Sequence, residues 1–149
     1  MFRLSKLTDY AVIVLVRLSR GETVQTSPGI ACATGVPEPT VAKVLKALAG
    51  HGLVTSQRGA RGGYVLARPL ATIPVGDVIE AMDGPIALTA CVDGGGCDSH
   101  SLCPMHGRWD PVNEAIRAAL DGITLADMES SMPRAFRLPA REAVLEPSI

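Results

Sequence analysis

The sequence predicts a mainly α-helical fold carrying one small β-hairpin. Two observations carry the prediction. Apolar residues recur at three- and four-residue intervals in several separate stretches, the mark of helices that bury one face. Leu53 to Ala67 breaks the pattern, with two short strand-like runs about a glycine-rich turn. At 149 residues, 47% hydrophobic and 19% charged, the chain is long enough for one domain with its own core.

The elements follow in order. Leu7, Ala11, Val14, Leu15 and Leu18 share a face of a first helix over 7–20, which Gly21 stops. Ser27 is expected as an N-cap with Pro28 at the first helical position, opening a short second helix that ends at Gly35. Cys32, between Ala31 and Ala33, reads as a small core residue of that helix. After a turn at Val36-Pro37-Glu38, Pro39 opens a third helix with Val41, Val44, Leu45 and Leu48 on its apolar face. Thr40, Lys43 and Lys46 occupy its other faces. The hairpin pairs Leu53–Gln57 with Tyr64–Ala67, and its tip carries Arg58 and Arg61 among glycines. Val75, Val78, Ile79 and Met82 mark a fourth helix, stopped by Gly84-Pro85. Pro111 starts a fifth, with Val112, Ala115, Ile116, Ala119 and Leu120 as one stripe, and Gly122 follows it. Thr124 and Asp127 resemble a capping box for a last helical turn. Tyr64 and Trp109 read as packing residues, and residues 131–149 as a loosely ordered tail.

Helix, short helix, turn, helix and hairpin, in that order, is the winged helix-turn-helix plan. The third helix is then expected in the major groove of double-stranded DNA, with Thr40, Lys43 and Lys46 facing it. Arg58 and Arg61 reach phosphates or a neighbouring groove from the hairpin. The overall net charge of −1 hides a dipole. Residues 1–76 hold nine Lys/Arg against three Asp/Glu, whereas residues 77–149 hold five against twelve. From Pro39 to Gly76 there is no acid, so a polyanion meets a uniformly basic face.

Cys91, Cys97 and Cys103 stand at equal spacing with His106 three positions beyond. Glycines 94–96 loosen the first interval, so the loop can aim soft ligands at one centre. Thiolates with an imidazole suit zinc or an iron–sulfur cluster. Structural zinc sites more often pair their cysteines closely, and this wider spacing favours a cluster. His100 reads as a loop residue.

With these residues in view, the chain resembles the bacterial winged-helix regulators of iron–sulfur cluster assembly, of the IscR and SUF-system type. The resemblance covers about residues 1–130 and rests on Leu4-Ser-Lys-Leu-Thr-Asp-Tyr-Ala11, Pro37-Glu-Pro-Thr-Val-Ala-Lys43, Arg58-Gly-Ala-Arg-Gly-Gly-Tyr64, Gly84-Pro-Ile86 and the three cysteines. It implies one regulator domain: a DNA-binding part over 1–68, a cluster-binding loop over 90–106 and a C-terminal dimerisation helix over 110–122. It further implies a homodimer whose Cys91, Cys97 and Cys103 hold the cluster. His106 completes a 2Fe–2S site in one branch of the family. In the nitric-oxide-sensing branch an Asp of the other subunit, at the place of Asp9, completes a 4Fe–4S site. The 2Fe–2S form is the expectation here, with zinc as a possible substitute. Asp9 is otherwise a polar residue of the first helix. The resemblance also implies repression of SUF-type assembly genes.

Other functions fit less well. The glycines at 59–63 lack a phosphate-binding pattern, and no acid–base partner surrounds the cysteines, so an enzyme is not expected. A cluster carrier leaves the winged helix without a task, and a nitric-oxide or redox sensor differs only in signal. No segment approaches the ~20 apolar residues of a membrane span. The run Ala11–Val16 is too short for a signal peptide and lacks a cleavage site. A cytoplasmic location, where thiols stay reduced, is therefore expected.

Overall fold

Helix α1 (Lys6–Ser19) begins where the Ser5 side chain accepts the Thr8 amide proton at 3.2 Å. In this computed structural model, which describes residues 3–92 and 102–130, α1 buries Ala11, Val14, Leu15 and Leu18 on one face. Helix α2 (Ser27–Thr34) is capped by Thr26, whose Oγ1 accepts from the Gly29 amide at 3.2 Å. The expected cap, Ser27, is instead the first helical residue, which puts Pro28 second. Both positions lie where a helical N–H has no intrahelical acceptor, so proline costs nothing there. Gly35 ends α2 in the left-handed region at φ 74°, a conformation that suits glycine.

Helix α2 departs from expectation in what it buries. Its fully buried side chain is Ile30, and Cys32 is exposed. Two positions along a helix is about 200° of rotation, so a residue two after the buried one points to solvent.

Helix α3 (Glu38–Gly50) buries Val41, Val44, Leu45 and Leu48 against α1 and α2. Gly52, at φ 71°, turns the chain into β1 (Val54–Gln57), which pairs antiparallel with β2 (Gly63–Leu66). Val54 faces Leu66 and Gln57 faces Gly63 in this ladder. Gln25 adds a bridge to the outer edge of β2, exchanging both backbone bonds with Tyr64 at 3.0 and 2.8 Å. A Cβ on Gly63 would lie 2.4 Å from the Gln25 carbonyl oxygen, so this close approach requires glycine.

A 3-10 turn at Leu70–Thr72 leads to α4 (Val75–Asp83). The fifth helix, α5 (Asp110–Asp121), packs on α4, and Gly76 sits where a Cβ would strike the Asp121 carboxylate. Beyond α5 the chain returns to the start of α4. The Val75 amide donates to Ile123 O at 2.8 Å and the Leu125 amide to Ile73 O at 3.0 Å. The capping box of Thr124 and Asp127 then opens α6 (Leu125–Glu129), as expected. Leu125 enters the core cluster with Leu15, Leu45, Leu48 and Ile73, where cutting one such leucine to Ala costs about 2–5 kcal/mol. Among the described residues no helix is long and apolar enough to cross a membrane. The expected tail over 131–149 lies outside the described residues.

Candidate DNA interface and cysteine arms

The α2–α3 unit presents its third helix outward by default. Once Val41, Val44, Leu45 and Leu48 face the core, Lys43 and Lys46 project to solvent one turn apart, with Thr40 half-buried beside them. The wing tip at 58–62 places Arg58 and Arg61 in solvent. Its shape depends on two glycines. Gly59 sits at φ 114°, and a Cβ on Gly62 would lie 2.5 Å from the Gln57 carbonyl oxygen. Among the described residues none of these four cations is ion-paired, whereas Arg68, at the wing base, is bonded to Asp77. Unpaired arginine and lysine are free to meet phosphates without first breaking a bridge.

Cys91 and Cys103 lie on two arms joining α4 to α5. On the first arm Ile86 is buried, and a turn follows in which the Val92 amide donates to Thr89 O at 3.1 Å. Cys91 Sγ lies 3.1 Å from Thr89 Oγ1, half-buried and not in a disulfide. On the second arm the His106 amide donates to Cys103 O at 3.2 Å, so Cys103 and His106 share one turn. Cys103 is half-buried and His106 exposed. Cys97 and His100 lie outside the described residues. Among the described residues no three His, Cys, Asp or Glu side chains converge as a metal site. The donor chemistry itself fits an iron–sulfur centre: reduced, partly accessible thiols with an imidazole one turn on. Asp9, on the first turn of α1, is exposed.

Sequence reasoning missed the residue at the root of these arms. Asn113 is 3% exposed, and its Oδ1 accepts from the Leu88 amide at 2.9 Å while its Nδ2 donates to Ile86 O at 3.0 Å. A polar residue three before Ile116, on the same helical face, was the available signal. Helix α5 also divides its apolar residues differently from the expected single stripe. Ile116 and Leu120 are half-buried toward α4, whereas Val112 and Ala115 face out. Trp109, expected to pack, is 40% exposed at the N-cap position just before α5.

A helix-turn-helix backed by a basic two-stranded wing defines a winged-helix regulator. The chain belongs to the Rrf2 family, described as iron-dependent transcriptional regulators, whose profile matches residues 4–130. It is 30% identical over 128 residues to the HTH-type transcriptional regulator IscR of Klebsiella pneumoniae strain 342, covering 85% of this chain and 78% of that one. An HTH-type transcriptional regulator of Mycobacterium tuberculosis H37Rv is 33% identical over 129 residues, covering 85% and 80%. Among solved structures, IscR of T. potens superposes with a TM-score of 0.60 at 33% identity, covering 85% of each chain. CymR, the global cysteine regulator of B. subtilis, superposes at 0.64 with 28% identity, covering 86% of this chain and 96% of that one. These relatives are transcriptional regulators, not enzymes, and this protein is a transcriptional regulator of the same kind.

Proposed function

We propose that this protein is an iron–sulfur-cluster-sensing repressor of SUF-type cluster assembly genes, binding operator DNA as a homodimer. The observation that carries the reading is the set of Cys91, Cys103 and His106 on the two arms between α4 and α5, with Cys97 between them in sequence, in a chain related to IscR. The three cysteines supply thiolates and His106 the fourth ligand of a 2Fe–2S cluster. In the 4Fe–4S alternative Asp9 of the partner subunit replaces the imidazole. Zinc can occupy the same donors in protein prepared in air.

On the DNA side, α3 enters the major groove with Thr40, Lys43 and Lys46, while Arg58 and Arg61 hold phosphates or a neighbouring groove. Dimerisation uses the outward face of α5. Trp109 and Val112 are 40% and 45% exposed there, apolar side chains that a second copy of the helix can cover. The bound cluster supplies a centre whose redox state and occupancy report iron and sulfur supply. The arms do the rest: they lie between the winged helix and α5, so ordering them restrains how two winged helices sit across a dimer. A cluster held more tightly by the DNA-competent state shifts the population toward it. The likeness to CymR, a global cysteine regulator, supports a second signal, cysteine supply.

The test is protein purified without oxygen. Thiolate-to-iron absorption with stoichiometric iron and sulfide is expected, lost in Cys91→Ala, Cys97→Ala and Cys103→Ala and altered in His106→Ala. A colourless protein carrying stoichiometric zinc, or Cys variants with normal iron and sulfide, contradicts the reading.

A further inference from the structure

Asn113 is the point at which both arms meet α5. Its side chain spends one acceptor and one donor on a single stretch of the first arm, at Leu88 and Ile86. Its own amide donates to Trp109 O at 2.9 Å, in the first turn of α5, and the second arm runs straight into that turn. Two further turn bonds, from Arg108 to Met105 and from Asp110 to Gly107, continue the path back to the Cys103–His106 turn. On the other side, Leu88 is one residue from Thr89, which contacts Cys91 Sγ.

An asparagine at this place is costly unless its position matters. It is one of two buried polar residues, beside Thr8, among the described residues, and an apolar side chain of similar size would fill the same space without desolvating an amide. Only a group with one donor and one acceptor in a fixed fork can close both backbone groups at once. Nothing else among the described residues bonds the first arm to α5.

We infer that Asn113 is a positioning residue for the proposed metal centre. It sets the spacing between the arm bearing Cys91 and the arm bearing Cys103 and His106, and couples both to the dimerisation helix. Asn113 touches no ligand atom. Its effect passes through the backbone of Ile86 and Leu88 to Cys91, as residues behind a ligand shell commonly act on the affinity of the site. The inference rests on the cluster reading.

The experiment compares wild type with Asn113→Leu, which keeps the number and branching of side-chain heavy atoms and removes both bonds, and Asn113→Asp, which keeps only the acceptor toward Leu88. In apo protein, exchange of the Leu88 amide proton is measured by NMR. After anaerobic reconstitution, the visible circular dichroism of the cluster and its release to a chelator are followed. Asn113→Leu is expected to exchange Leu88 about tenfold faster, to release iron roughly ten- to a hundredfold faster and to change the dichroism. Asn113→Asp should fall between. Unchanged dichroism and release, whether in Asn113→Leu or, if that variant does not fold, in Asn113→Asp, overturn the role even if thermal stability falls. A wild type that takes up no iron and sulfide defeats the cluster reading and the role with it. A wild type that binds while the variants match it defeats the role alone.

Discussion

Arg58 and Arg61 owe their usefulness to what surrounds them. The wing that carries them is anchored by the Gln25–Tyr64 bridge, and its tip closes only because Gly59 and Gly62 permit it. Among the described residues neither arginine is tied to a carboxylate, in contrast with Arg68 and Arg20. Arg61→Ala should therefore weaken binding to every duplex and lower the slope of log affinity against log salt by ~1, if the arginine rests on phosphate. If it reads a base edge, discrimination at one position should relax by ~1–3 kcal/mol instead. Anisotropy titrations at several salt concentrations separate the two, and an unchanged isotherm contradicts both. At the same scale, Asp83 reaches back from the end of α4 to the start of α1. Its Oδ2 accepts from Thr8 Oγ1 at 2.7 Å and from the Ser5 amide at 3.2 Å. Partial burial alone would push this carboxyl up, but the bonds from Ser5 and Thr8 outweigh it and hold the carboxyl below its ordinary 3.8. A carboxyl depressed in the folded state stabilises above the unfolded value and loses that contribution as pH falls through the folded one. The Tm gap between wild type and Asp83→Asn should thus be full near neutrality and close below pH 3.8. A gap independent of pH contradicts this account.

At the scale of elements, α5 buries little of its own surface: Asn113 is its fully buried residue. The helix is fixed to α4 by the Gly76–Asp121 approach and an Arg117–Glu80 ion pair of 3.3 Å, yet Trp109, Val112 and Ala115 face outward. Val112→Asp should leave the monomer's stability within about 0.5 kcal/mol, since the site is half in water, while shifting the assembly toward monomer. Sedimentation over a concentration series checks it; an unchanged dimer removes α5 from the interface. Most elements were legible in the sequence because their apolar residues keep helical time: Val41, Val44, Leu45 and Leu48 identify α3 and all four are buried. The misreadings occurred where periodicity is short or ambiguous. Helix α2 spans eight residues, too few for a face to be recognised, so Cys32 was assigned to the core and Thr26 passed over as the cap. In α5 two adjacent apolar strips merged into one stripe, which concealed the outward strip and the inward Asn113. The Gln25–Tyr64 bridge joins residues distant in sequence through backbone atoms alone, and no side-chain pattern announces such a contact.

At the scale of the whole molecule, charge and connectivity point to one arrangement. The positive part of the chain builds the winged helix, and the negative part builds α4, the arms and α5. A polyanion is attracted to the winged helix and repelled by the part that follows it, which favours docking through the winged helix. The arms that bear Cys91, Cys103 and His106 belong to the negative part, the first of them bonded to α5 through Asn113. Occupancy of a metal centre there can bias the relative setting of two winged helices only if it favours one setting over the other. The most direct measurement titrates holo protein and Cys97→Ala, both without oxygen, onto the promoter of a SUF-type assembly operon and follows anisotropy. The account predicts tighter binding by holo protein, with both dimers folded and of equal mass. Equal affinities would leave the cysteine arms a structural or accessory centre and remove the cluster as the switch.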